Sequence, residues 1–95
     1  MNSTYSKTKT SLYRRLYICY LIDSGINTVP SLLEVTEMPR RTLQDAIAAL
    51  AEMDIKCTAY GGTINRSYTI SCWGPIRKQY VKENLQHIKG VLGCS

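Results

Sequence analysis

The chain has few residues of several chemically informative types. Phenylalanine is absent from its 95 residues, and histidine and tryptophan occur once each. Its four cysteines form no Cys-x-x-Cys pair, and His87 is the one histidine that could join them at a metal. We therefore expect neither a metal site nor a cofactor. The cysteines are interpreted as small buried hydrophobic residues and one loose tail thiol: Cys19, Cys57, Cys72 and Cys94.

Long hydrophobic runs are also missing. The longest apolar run covers residues 16–22 and stops at Asp23, whereas a membrane span needs about 20 residues. Arg14 and Arg15 precede that run as the charged residues of a signal peptide do, but no small-residue cleavage site follows. We therefore expect a cytoplasmic protein with no membrane partner.

Patterns of catalytic residues are scarce. The sequence has no nucleophile motif, no paired-carboxylate pattern and no phosphate-binding glycine loop, and its single histidine lies late in an amphipathic segment. These absences predict that the protein is not an enzyme. No small-molecule ligand is evident either.

The residues that are present predict one small basic domain over residues 1–95. Hydrophobic residues make up 44% of the chain and charged residues 20%, which excludes disordered and collagen-like classes. A chain of this length buries one core and not two. Twelve lysines and arginines against seven acidic residues give a net charge of +5, which favours a polyanionic partner.

The spacing of apolar residues divides the chain into helices and one hairpin. After a polar tail over residues 1–8, a period of 3.6 predicts a first helix over 9–24 and a helix pair over 30–53. Alternation predicts a strand pair over 54–72, and a last helical pattern covers 75–92. The fold class is therefore α+β and mainly α: a winged helix-turn-helix with a three-helix core, a β-hairpin wing and an additional C-terminal helix.

The first predicted helix carries more apolar surface than one core contact requires. Four bulky residues lie outside its main apolar stripe: Tyr13, Tyr17, Tyr20 and Leu21. Their helical spacing favours packing over stacking on single-stranded bases. The excess predicts a second buried face, and we expect a homodimer formed through this helix and the C-terminal helix.

Residues 28–50 carry a family resemblance. Their sequence, TVPSLLEVTEMPRRTLQDAIAAL, resembles the helix-turn-helix core of bacterial winged-helix regulators. With CWGPI at 72–76 and IKGVLG at 88–93, the chain is similar over nearly its whole length to a family of small uncharacterised bacterial winged helix-turn-helix proteins. That resemblance implies the fold and a DNA-binding role.

The turn of the motif departs from the common pattern. Helix-turn-helix motifs favour glycine at the turn, where this chain has Glu37. A positive φ at Glu37 would cost about 1 kcal/mol. We expect instead that the turn at Met38 and Pro39 takes a different path.

The opening turns of the second helix of the pair hold the predicted DNA contacts: Arg40, Arg41, Thr42 and Gln44. This is the segment that reaches base edges when a recognition helix enters the major groove. Arginine can bridge guanine O6 and N7, glutamine can pair with adenine, and threonine can contact phosphate or the thymine methyl. Arg66, at the tip of the hairpin, is expected to reach a phosphate or a narrow minor groove. The alternative interpretation is a solvated helix start.

Several charged residues have a weaker interpretation. Asp45 is an anion on the presumed binding side and is expected to pair with Arg41, four positions earlier. Lys7, Lys9, Arg14 and Arg15 either attract phosphates or keep the chain soluble, and we favour solubility. A solvated face is likewise favoured for three residues near the C-terminus: Arg77, Lys78 and Lys82.

Two functions are consistent with these features. The first is a sequence-specific double-stranded DNA-binding protein that acts as a bacterial transcriptional regulator. The second is a winged-helix protein–protein interaction module that binds no DNA, because a fold alone does not dictate function. A four-residue hairpin loop would also place Cys57 opposite Cys72, where a reversible disulfide is conceivable, although buried thiols are usually inert.

Overall fold

A computed structural model describes residues 5–62 and 66–93. Within this part of the chain, helices precede and follow a two-stranded antiparallel hairpin. The predicted α+β, mainly α winged helix-turn-helix arrangement is confirmed. The elements in chain order are α1 (Lys7–Ser24), α2 (Val29–Thr36), α3 (Arg40–Glu52), β1 (Lys56–Tyr60), β2 (Ser67–Cys72), α4 (Lys78–Glu83) and α5 (Leu85–Leu92).

Helix α1 begins earlier than predicted. The hydroxyl of Ser6 accepts a hydrogen bond from the amide of Lys9 at 3.1 Å, and this cap places the first helical residue at Lys7. Residues 7 and 8 therefore belong to the helix and not to the predicted tail, of which residues 1–4 lie outside the described part. The helix ends at Gly25, where φ is 114°.

Helix α1 lies at the centre of the fold. It packs against α3, α4, α5 and β2, and Ile18 and Cys19 are completely buried. Tyr17 and Leu21 are each 5% exposed, so the predicted second buried face exists. The chain itself covers that face, and the apolar excess of α1 therefore does not call for a second subunit.

Helix α2 starts at a capping box. The Thr28 hydroxyl accepts the amide of Ser31 at 3.3 Å, and the Ser31 hydroxyl accepts the amide of Thr28 at 3.2 Å. The same segment joins the hairpin, since the amide of Tyr68 donates to the carbonyl of Asn27 at 2.9 Å and Thr28 forms a bridge with Ser67. The start of α2 and the near end of β2 therefore hold each other in place.

The expectation that Glu37 avoids a positive φ in the turn between α2 and α3 is wrong. This residue has φ 57° and ψ 21°, a left-handed conformation, and its amide donates to the carbonyl of Leu33 at 2.8 Å. The reason lies in Pro39, which pushes Met38 towards extended backbone and leaves the reversal of direction to Glu37. Pro39 then serves as the N-cap of α3.

The hairpin register also differs from the prediction. Cys57 pairs with Ile70, Lys56 pairs with Cys72, and the register shifts between Lys56 and Cys57 at a bulge. Tyr60 and Ser67 form the last pair, so the connection spans residues 61–66 and is longer than the predicted loop. Residues 63–65 of the predicted turn lie outside the described part. The Cys57–Cys72 pairing that a four-residue loop would give is therefore absent, and a disulfide between these two residues loses its geometric basis.

The predicted single helix over residues 75–92 is divided. Gly74, with φ 60°, and Pro75 form a turn, so α4 begins only at Lys78. At Asn84 the backbone leaves helical angles, and the Asn84 side-chain amide donates to the carbonyl of Tyr80 at 2.9 Å. This local bond competes with the helical pattern and separates α4 from α5. Buried apolar residues of both helices complete the core: Val81, Ile88 and Val91.

Candidate nucleic-acid interface

Helix α3 has one buried side and one exposed side. Leu43 and Leu50 are completely buried and Ala46 is 5% exposed, which fixes the helix on the core. On the other side, Arg40, Arg41 and Gln44 are exposed, and Thr42 is half-buried. The structure thus brings the four predicted contacts of this helix together at its N-terminal end.

The start of α3 is electropositive. No acidic residue lies in its first turn, and Pro39 supplies no side-chain cap, so the first amides point outwards without a side-chain acceptor. These amides and the helix dipole attract anions, and Arg40 and Arg41 add two full charges. In the described part of the chain the one ion pair is Lys78 with Asp23, at 2.7 Å. The expected pairing of Arg41 with Asp45 is therefore wrong, and both arginines keep their charge available.

Arg66 belongs to the hairpin and not to the α3 cluster. It is exposed and immediately precedes Ser67, the first residue of β2. The loop end of the hairpin is tied to the start of α2 through the pairing of Thr28 with Ser67. Arg66 therefore adds an exposed positive charge to the hairpin.

A second group of cationic residues, for which the sequence favours a solubility role, lies beside α3. Arg14 and Arg15 of α1 are half-buried and line a cleft of about 180 Å³ with residues of α3. The complete lining is Ser11, Arg14, Arg15, Thr42, Asp45 and Ala46. The signal was present in the spacing, because positions 11, 14 and 15 share one helix face. Which helix this face would meet could not be read from that spacing.

Comparisons with known proteins agree with this arrangement. A family model described as "Winged helix-turn helix" matches residues 7–92. The chain belongs to this family. Among solved structures, this winged helix-turn-helix chain is similar to a DUF2131 family protein from Shewanella amazonensis SB2B, with 33% sequence identity and a TM-score of 0.89. The match covers 99% of this chain and 94% of that one. No curated protein matches the chain.

Two thiols of this winged helix-turn-helix protein, those of Cys19 and Cys57, have raised pKa values that favour the protonated form. Burial, with smaller contributions from Cys57 and Asp23, raises the pKa of Cys19 to about 12. Burial also raises the pKa of Cys57. Cys72 is exposed at the end of β2. The two thiols with raised pKa values are weak nucleophiles and weak metal ligands at neutral pH.

Two further features of the described residues concern metal binding and membrane insertion. No group of three or more His, Cys, Asp and Glu side chains in residues 5–62 and 66–93 is placed to hold a metal ion. Over the same ranges, every helix is too short or too polar to cross a bilayer.

Proposed function

We propose that this winged helix-turn-helix protein binds double-stranded DNA in a sequence-specific manner and acts as a bacterial transcriptional regulator in the cytoplasm. In this proposal the N-terminal end of α3 enters the major groove, where Arg40, Arg41, Thr42 and Gln44 meet base edges and nearby phosphates. Arg66 contacts the flanking backbone from the hairpin. No catalytic role is proposed.

The observation that carries the proposal is the pair of exposed arginines at the start of α3. Arg40 and Arg41 have no acidic partner in the described part of the chain, and they stand on a helix whose opposite face is buried. Such a helix presents its side chains in a fixed geometry, which base recognition requires and a flexible basic tail does not provide.

Fluorescence anisotropy with labelled duplex DNA tests the proposal. We expect binding to a random duplex that weakens steeply as salt rises from 50 to 200 mM, because phosphate contacts release counterions. Selection from random duplexes should then enrich a defined site. Absence of salt-dependent binding would contradict the proposal.

A protein–protein interaction module is the second candidate. Val35 on α2 and Tyr60 at the end of β1 are 45% and 52% exposed, and apolar side chains of this kind can anchor a protein partner. Binding through them would depend little on salt, so the same titration separates the two functions.

We also propose a homodimer formed through α1 and the C-terminal helices. Because α1 is largely covered by its own chain, the exposed surfaces of α4 and α5 would supply most of the contact area. Sedimentation equilibrium at micromolar concentration measures this, and a monomer at all concentrations would contradict it.

A further inference from the structure

The cleft between α1 and α3 is formed by two matching helix faces. Ser11, Arg14 and Arg15 stand at positions i, i+3 and i+4 of α1, and residues 42, 45 and 46 stand at the same spacing on α3. The cleft therefore adjoins the segment of α3 that holds Arg40 and Arg41. The residues of α3 that line the cleft point towards α1, whereas Arg40 and Arg41 are exposed.

The cleft is lined by hydrogen-bond donors that have no acceptor among the described residues. Arg14 and Arg15 have no carboxylate partner among the described residues, and the hydroxyls of Ser11 and Thr42 make no hydrogen bond with other described residues. Both arginines are half-buried and line the cleft, and a half-buried arginine commonly packs its apolar stem while its charged head stays accessible. Guanidinium groups fit the tetrahedral oxygens of a phosphate with paired hydrogen bonds.

We propose that this cleft holds a phosphate of the DNA backbone beside the major groove that α3 enters. Arg14 and Arg15 bind the phosphate and Thr42 donates to it, which fixes the depth and angle of α3 relative to the bases. This inference rests on the proposed function and adds α1 to the DNA-binding surface. The contact positions the protein and carries no sequence information of its own.

Asp45 opposes this contact from inside the cleft. Asp45 lines the same space, so the formal charge of the lining is +1 and not the +2 that Arg14 and Arg15 alone would give. A phosphate therefore binds less tightly than the two arginines alone would allow. Removal of this carboxylate should strengthen DNA binding, which an inert cleft would not show.

The first experiment removes the two arginines. The double variant Arg14→Gln/Arg15→Gln is compared with Arg77→Gln/Lys82→Gln, which removes two exposed cations of the C-terminal region. One lost phosphate contact lowers the salt slope by about 0.9 and affinity at 0.1 M salt on the order of ten-fold, equally for all duplexes. We expect this loss in the first variant and a smaller change in the second. The variant Arg14→Lys/Arg15→Lys should recover most of the slope, and circular dichroism verifies the fold of each variant.

The second experiment removes the opposing charge. Asp45→Asn should bind every duplex more tightly than the wild type, and Glu52→Gln, with the same change of charge at the exposed C-terminal end of α3, should bind like the wild type. Equal effects of the two members of either pair would show that only net charge matters and would overturn the proposal.

The remaining outcomes separate this inference from the proposed function. If the wild type binds DNA and the Arg14/Arg15 variants bind equally well, the cleft proposal fails and the proposed function stands. If inorganic phosphate at constant ionic strength binds the cleft while the DNA slope is unchanged by these variants, the site takes a free anion and the proposal is also overturned. A wild type without DNA binding overturns both.

Discussion

Gly74 lies against the carbonyl group of Asp54, so that a Cβ atom added at Gly74 would stand 2.5 Å from the Asp54 oxygen and 2.8 Å from its carbon. Both residues have left-handed backbone, with φ 60° at Gly74 and φ 62° at Asp54. The contact joins the turn that follows α3 to the turn that follows β2. It therefore fixes the open end of the hairpin, where β1 begins and β2 ends, relative to the proposed recognition helix.

Gly74→Ala should destabilise the protein strongly. Positive φ costs an alanine about 1 to 2 kcal/mol, and overpacking against backbone adds about 1 to 3 kcal/mol. Gly93→Ala is the matched control, because Gly93 has φ 78° but nothing within 4 Å of an added Cβ. Urea unfolding should show a clearly larger loss for Gly74→Ala. Equal losses would mean that the Asp54 contact adds nothing to the φ effect.

Glu37→Gly should stabilise the protein by about 0.5 to 1 kcal/mol. Glu37 occupies the left-handed C-cap of α2, where glycine avoids the steric cost of a side chain. Glu34→Gly, within the same helix, should instead destabilise by about 1 kcal/mol. Both changes remove one exposed carboxylate, so charge cancels in the comparison. Thermal or urea unfolding measures the two signs, and a loss at position 37 would contradict the interpretation of the turn.

The three described cysteines should react with a thiol reagent in a fixed order. In a Cys94→Ser background at pH 8, exposed Cys72 should react first and Cys57 more slowly, because burial raises the pKa of Cys57. Cys19, with a pKa raised to about 12, should react only after unfolding. Its thiolate fraction stays small until the pH approaches that value. Release of a chromophore from an aromatic disulfide reagent follows the order, and early reaction of Cys19 would contradict its burial.

Local sequence signals predicted most of the elements. The apolar spacing of α1 and α3 and the alternation of β1 and β2 each depend on residues a few positions apart, and the structure confirms these elements. Some departures from the prediction are themselves local, such as the Ser6 cap that starts α1 early and the Asn84 bond that separates α4 from α5. The hairpin pairing failed because distant atoms decide it. The register of Cys57 depends on a bulge across the hairpin.

One part of the candidate interface could be predicted from local sequence, and another part could not. The amino end of α3 could be predicted because a helix start is a local feature, and Arg40 and Arg41 stand there in the structure. The position of Arg14 and Arg15 beside α3 could not be predicted, because the sequence does not show which helix packs against the face they share. Their positive charge alone favoured a solubility role, and the structure adds their place in the cleft lining.

Substitution of Arg40 and of Arg41 should separate base recognition from phosphate attraction. Each arginine that bridges a guanine contributes discrimination at one base pair, so Arg40→Ala or Arg41→Ala should cost about 1 to 3 kcal/mol on the selected site and relax the preference at one position. Arg66→Ala should weaken all duplexes alike and lower the salt slope by about 1, because the hairpin contacts backbone.

Arg77→Ala is the control for charge alone. Affinities are measured on the selected duplex and on single-base variants at two salt concentrations. Unchanged binding of both α3 variants would refute this orientation of the helix, and a uniform loss in all three would leave Arg40 and Arg41 as phosphate contacts.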